Sequence, residues 1–370
     1  MDIHLWDTYN SEKISVDISK ELKDKISLLI PNKQEFARKI KITPARLYDY
    51  FVYQKTPIPL NILMKILKLL KISQHRIEHR IIMYKQLYVP CYNSVENPKL
   101  PLEITPYFTS IVANLYFDGS VPKDGKGTYY NQKNEEIMNN FVKRLEKVFG
   151  NVQHTINEDH RGVLTCRVPR IIGEICKSVY NVDSFGTFDS KISDKIFSLP
   201  LEHKIAFVLT AIIDEGSITH DGRTFFGVSN KILCDGVKLL CKQIGLETTE
   251  VKQKLNSNHY YFYIKSKEKL MELINLFNKK YPFISLNYKE KRLRYYFEIK
   301  KYPGLRTKKG ADERRDKIIS SLKEGSKSGN QLTEELLIPP RVVRRHLKYL
   351  INANKISRIK ISNQFIFSLK

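Results

Sequence analysis

The feature that most constrains this chain is a segment written twice. Residues Ile111–Val121 read IVANLYFDGSV, and Val208–Ile218 read VLTAIIDEGSI. In each, an apolar run with helical character ends at carboxylates, then Gly-Ser, then a β-branched residue. TYYNQKNEEIMNNFVKRLEKVFGN follows the first copy and TFFGVSNKILCDGVKLLCKQIGLE follows the second. Both read as an aromatic strand leading through an Asn into an amphipathic helix that closes near a Gly. Asp118 to Glu215 is 97 positions, Asn134 to Asn230 is 96, and Gly150 to Gly245 is 95. Three landmarks in near-constant register mark an internal repeat. Each unit continues through strand-like sequence, LTCRVPR or HYYFYIKSK, into a further helix. The expected unit is αββαββα, with one copy over residues 98–196 and the other over 197–302.

The flanks differ from this centre and from each other. Residues 1–95 read as mainly helical. Within them, NKQEFARKIKITPARLYDYF spells helix, turn, helix, with Thr43 as N-cap and Pro44 at the first helical position. Phe36, Ala37 and Ile40 are spaced to bury one face, and Leu47, Tyr50 and Phe51 to bury the next. Arg46 is left to point outward. The segment resembles the Cro and phage-repressor type of helix-turn-helix. Residues 311–370 predict three helices followed by a β-ribbon, KISRIKISNQFIFSLK, and resemble a winged helix. Their third helix, starting at Pro339 and Pro340, carries Arg341, Arg344, Arg345 and Lys348.

Charge narrows the partners. The chain holds 63 Lys+Arg against 39 Asp+Glu, a net of +24 over 370 residues. Residues 301–370 alone carry 17 Lys+Arg against 6 Asp+Glu, a net of +11. A field of this sign attracts polyanions, and the release of their counterions drives binding. No apolar run approaches the roughly 20 residues of a membrane span. The opening MDIHLWDTYNSEK lacks a secretory pattern, so an intracellular, cytoplasmic protein is expected. Five cysteines (Cys91, Cys166, Cys176, Cys234 and Cys241), with no C-x-x-C pair, argue for reduced thiols over disulfides or structural zinc. His75 and His79 have i,i+4 spacing but not the H-E-x-x-H order of a metalloprotease.

The doubled IVANLYFDGSV/VLTAIIDEGSI element over residues 98–302 resembles the LAGLIDADG homing endonucleases in their single-chain, two-repeat form, a family that also includes non-cutting regulators. The resemblance implies an α+β fold in which two repeats form a pseudosymmetric saddle on double-stranded DNA, with no need for a second subunit. Side-by-side helices need small residues where their backbones approach, and Ala113, Thr210 and Ala211 stand at such positions. Each helix then delivers one carboxylate to the shared end, Asp118 from the first and Glu215 from the second. Together they would hold Mg²⁺ or another divalent cation. By register with Phe117, Asp214 is expected to point away from the interface. Lys265 lies where the family places a basic residue that supports catalysis. The first repeat has Val168 there, flanked by Arg167 and Arg170. Asn114 stands where an apolar helix residue is usual.

Two functions follow as expectations: a metal-dependent, site-specific double-strand endonuclease, or a transcription regulator built on the same saddle. Paired carboxylates favour the first and the two additional DNA-reading modules favour the second. RNA is a third polyanion that charge alone admits.

Overall fold

The structure is a computed structural model. It describes residues 2–8, 11–87, 93–122, 127–219, 222–301, 308–336, 338–361 and 364–370; Cys91 lies outside them.

The N-terminal region is mixed rather than mainly helical. β1 (Asp2–Ile3) is followed by two short 3-10 turns, β2 (Ile14–Ile18), α1 (Lys20–Leu28), α2 (Lys33–Ile40), α3 (Pro44–Phe51), β3 (Ile58–Pro59), α4 (Leu60–Leu69), α5 (Gln74–Glu78), β4 (Ile81–Gln86) and β5 (Ser94–Glu96). The expected helix-turn-helix is α2–α3. Asn32 Oδ1 accepts from the Gln34 and Glu35 amides at 3.1 Å, and Thr43 Oγ1 from the Arg46 amide at 3.4 Å. Ala37, Ile40, Leu47, Tyr50 and Phe51 are buried, Phe36 is partly buried, and Arg46 is exposed. The sheet is the correction. ISVDI and IIMYKQ pair antiparallel as β2 and β4, because their β-branched and aromatic side chains fit a pleated surface better than a helix face.

β6 (Leu102–Glu103) pairs with β1, and the repeat region follows. Its first half runs α6 (Pro106–Tyr116), β7 (Gly119–Ser120), β8 (Thr128–Gln132), α7 (Glu135–Phe149), β9 (Asn151–Val152), β10 (Thr155–Glu158), β11 (Leu164–Val168) and α8 (Arg170–Tyr180). After α9 (Asp194–Ser198) come α10 (Leu201–Asp214), β12 (Gly216–Ile218), β13 (Thr224–Val228), α11 (Lys231–Gln243), β14 (Lys252–Gln253), β15 (Tyr260–Ile264) and α12 (Lys267–Lys280). The antiparallel sheets have orders β10-β11-β8-β7 and β12-β13-β15-β14. Counted from the strand that leaves the central helix, each sheet is built 1-2-4-3. β9 leaves this pattern and extends the N-terminal sheet beside β5.

α13 (Tyr288–Lys301) packs beside β12. The C-terminal region has α14 (Lys308–Lys323), β16 (Lys327–Ser328), α15 (Gly329–Leu336), α16 (Pro340–Asn352), β17 (Ile356–Ile361) and β18 (Gln364–Leu369). Three helices and a β17–β18 hairpin enclose their own core of Ile318, Leu322, Leu332, Ile338, Val343, Leu347, Leu350, Ile356 and Phe367. Among the described residues no helix is long and apolar enough to cross a membrane.

Candidate functional site: the shared end of two parallel helices

α6 and α10 make the most extensive helix–helix contact among the described residues. The Thr210 hydroxyl donates to the Ala206 carbonyl at 2.8 Å, so at 2.7 Å it accepts from the Ser110 hydroxyl. One turn on, Asn114 Nδ2 donates to Asp214 Oδ2 at 2.8 Å. Partners that advance together along both chains mean parallel helices, which therefore end at the same place. The small side chains of Ser110 and Thr210 let the two backbones approach, as the sequence suggested for Ala113, Thr210 and Ala211, all fully buried.

Both helices leave through a glycine for one steric reason. A Cβ on Gly119 would lie 2.6 Å from the Leu115 Cα, and one on Gly216 would lie 2.7 Å from the Ile212 Cα. The outgoing strand folds back against the last helical turn, and no larger residue fits there. Asp118 and Glu215 precede these glycines and are half-buried. Among the described residues neither carboxylate accepts a hydrogen bond. Burial pushes Asp118 up to about 6, with Lys289 pulling it back. Burial, then the charge of Asp118, pushes Glu215 up to about 7, again against Lys289.

Asp214 does not point away from the interface. It turns into the seam, because helical rotation places it one turn beyond Thr210 on the face that meets α6. Tyr130 donates to its Oδ1 at 2.7 Å, in addition to the bond from Asn114. Asn114 in turn accepts from the Arg144 guanidinium at 2.8 Å, and Arg144 also donates to the Phe283 carbonyl at 2.7 Å. The polar Asn114 is thus the hub of a buried network spanning α6, α7, α10 and the segment before α13. Burial first, then the Asp118 charge, raises Asp214 well above the carboxylate range, against the bonds from Tyr130 and Asn114.

Lys265 is not part of this cluster. It is exposed at the end of β15, where its amide donates to the Glu247 carbonyl at 2.8 Å and its charge acts on Glu250. The cation beside the acids is Lys289, 4% exposed, on α13. Its Nζ donates to the carbonyls of Ile212, Ile213 and Gly216 at 2.9, 2.5 and 2.8 Å. Burial lowers it to about 8, while Asp214, Asp118 and Glu215 hold it up. Sequence reasoning passed over Lys289 and Arg144, although a signal existed. Arg144 is in helical register with Phe141 and Val148, and Lys289 with Leu293, all buried. A charge on the apolar face of a helix requires a buried partner.

Arg341, Arg344, Arg345 and Lys348 are exposed on α16 and line one hollow with Arg358 and Phe365 of the hairpin. Arg167 stacks over the Tyr129 ring at 5.7 Å on the first sheet, and Arg170 bonds to Glu174.

The family model described as bacterial regulatory protein, arsR family, a helix-turn-helix, matches residues 312–357. No curated protein matches the chain. Among solved structures, mesophilic variants of the homing endonuclease I-DmoI are similar at 14% identity and TM-score 0.33, covering 46% of this chain and 93% of that one. I-DmoI in complex with DNA and Mn is similar at 15% identity and TM-score 0.33, covering 48% and 96%. Full-length DUF199/WhiA from Thermatoga maritima is similar at 10% identity and TM-score 0.34, covering 67% and 90%.

Proposed function

We propose that this chain binds double-stranded DNA site-specifically and hydrolyses a phosphodiester on each strand at the shared end of α6 and α10. The observation that carries the reading is the convergence of Asp118 and Glu215, unbonded and mutually repelling, where two parallel helices end. Two helix C-termini add their negative ends to two carboxylates, and such a place attracts cations. The donor set is all oxygen, which fits Mg²⁺ or a similar divalent ion held by Asp118 and Glu215. When bound, such an ion supplies an activated water and charge neutralisation at the leaving oxygen. The chain's own contribution is positional. Asp214, locked by Tyr130 and Asn114, fixes the register of α10 against α6. Lys289 ties down the last turn of α10 and so sets the direction of Glu215.

Two flanking modules supply affinity, α2–α3 with Arg46 and the C-terminal helices with Arg341, Arg344, Arg345 and Lys348. The match of residues 312–357 to a helix-turn-helix family and the net charge of +24 support this assignment. The two similar halves would present one surface to each strand, and one chain would suffice.

A second reading, a regulator that binds without cutting, is favoured by one observation. The ammonium of Lys289 already stands beside the three acids, so the cluster is partly neutralised without any metal.

Purified protein incubated with a duplex library and Mg²⁺, followed by sequencing of the ends, separates the two. The endonuclease reading expects ends at one site and their loss in Asp118→Asn/Glu215→Gln, while binding by gel shift is kept or strengthened. A wild type that retains duplexes and never cuts them establishes the regulator. For the C-terminal module, Arg344→Ala/Lys348→Ala should reduce the salt slope of binding by about 0.9 per lost phosphate contact. An unchanged slope removes α16 from the DNA interface.

A further inference from the structure

Outside the central cluster, one group of side chains has ligand chemistry of a different kind. Among the described residues, ligand atoms of His4, His75 and Glu78 all lie within 4.8 Å of one another. His75 is grouped with Glu78 at i,i+3 and with His4 from the far end of the region, and His79 is not part of the group. His4 Nδ1 is 2.6 Å from Glu78 Oε2. The His4 ring stacks on Trp6 at 4.8 Å with 4° between the planes, which fixes its orientation, and meets His75 edge-on at 4.7 Å.

The second observation concerns Glu78 itself. The residue is 2% exposed, and its other oxygen, Oε1, is buried with no hydrogen-bond partner. A buried carboxylate oxygen without a partner calls for an ion or a water. His75, by contrast, is exposed, so the group is closed beneath and open on one side.

We propose that His4, His75 and Glu78 bind a divalent transition-metal ion of the zinc class. Two imidazoles and one carboxylate suit Zn²⁺ and disfavour Mg²⁺ or Ca²⁺, which take oxygen. Three protein ligands and an open side leave a fourth position for water. Ligand atoms across a tetrahedral zinc centre lie roughly 3.3 Å apart, so His4 and Glu78 need open only slightly from their present contact. Imidazole and carboxylate bind such an ion only in their deprotonated forms, so binding weakens in acid.

The site has a mechanical consequence. His4 directly follows β1, which pairs with β6 just before α6, whereas His75 and Glu78 sit on α5, after the helix-turn-helix and α4. The ion therefore joins two segments seventy residues apart. It fastens the domain that carries α2–α3 to the strand leading into the central helix. This role is independent of whether the chain cuts DNA.

The test uses the full chain, stripped with chelator and titrated with Zn²⁺, with Co²⁺ as a spectroscopic probe. Wild type should take up a single tightly held Zn²⁺, give the intense visible bands of tetrahedral Co²⁺, and gain thermal stability with added metal. His75→Ala, at an exposed position, should weaken Zn²⁺ by at least about tenfold, the cost of losing even an outer partner of a ligand. Glu78→Gln should do the same if it folds, and His75→Ala alone decides if it does not. Asp118→Asn/Glu215→Gln should leave Zn²⁺ binding unchanged. Equal Zn²⁺ affinity in wild type and His75→Ala, or loss of the Co²⁺ bands only in the Asp118/Glu215 variant, overturns the proposal.

Discussion

The last turns of α6 and α10 were written from one pattern, yet they are not chemically equivalent. Counting back from the glycines, Phe117 holds the place in the first helix that Asp214 holds in the second, and Ala211 answers Asn114. On one side of the seam Asn114 and Asp214 bond to each other and to Tyr130 and Arg144. On the other, the Phe117 ring packs edge-on against Phe207 and Phe226 at 5.8 and 5.5 Å. Lys289 caps the end of α10, while the residue 97 positions earlier is Ile192, also buried. The backbone requirement, a tight exit through glycine, is shared. The charge environment is not, so the two carboxylates sit in unlike fields. A duplicated fold can keep its steric rules and still give its two halves different electrostatic tasks.

The largest effect that would break this comparison comes from the polar side of the seam. Arg144→Met removes two bonds from a buried cation and should destabilise the chain by on the order of 3 kcal/mol, read by denaturant unfolding. Phe117→Leu, on the apolar side, should cost about 1 kcal/mol. Equal losses would mean that the network does not organise the seam.

The glycines test what the halves share. Gly119→Ala and Gly216→Ala each drive a methyl into the preceding turn and should cost about 1–3 kcal/mol, by nearly the same amount. A large inequality would show that the two exits are not equivalent.

The smallest effect is in pH. Asp118 and Glu215 titrate higher in the folded chain than their ordinary values, so the folded state keeps protons that the unfolded state has released. Their contribution to stability therefore falls as pH rises from about 4 through 7. Lys289 titrates lower when folded, at about 8, so its contribution recovers from there toward its ordinary value. The cluster should give a shallow stability minimum between about 7 and 8. Asp118→Asn/Glu215→Gln should flatten the acid side, and Lys289→Met the alkaline side. A wild-type profile identical to both variants would contradict the burial assigned to these groups.

Much of the local structure was legible beforehand. Thr43, Asn134 and Asn230 cap the helices that their positions announced, because a cap is set by a few neighbouring residues. The four basic residues that the sequence puts on the third C-terminal helix are exposed on α16, opposite the buried Val343, Leu347 and Leu350. The N-terminal sheet was missed because β2 and β4 are short and stand 62 residues apart, with helical sequence between them. Their pairing has no local signature.

The sequence by itself determined that one helix–carboxylate–glycine element exists twice, that a helix-turn-helix pattern runs over Asn32–Phe51 and a basic helix over the C-terminal region, and that the chain carries a net charge of +24. These rest on spacing, composition and charge, which act over a few turns or over the whole chain. Only the tertiary structure decided that Asp214 enters the seam, that Lys289 and not Lys265 meets the acids, and that His4 joins His75 and Glu78. Each depends on which faces of distant elements come together. A buried charge takes its partner from whatever packing brings within a few ångströms, and no window of sequence contains that choice.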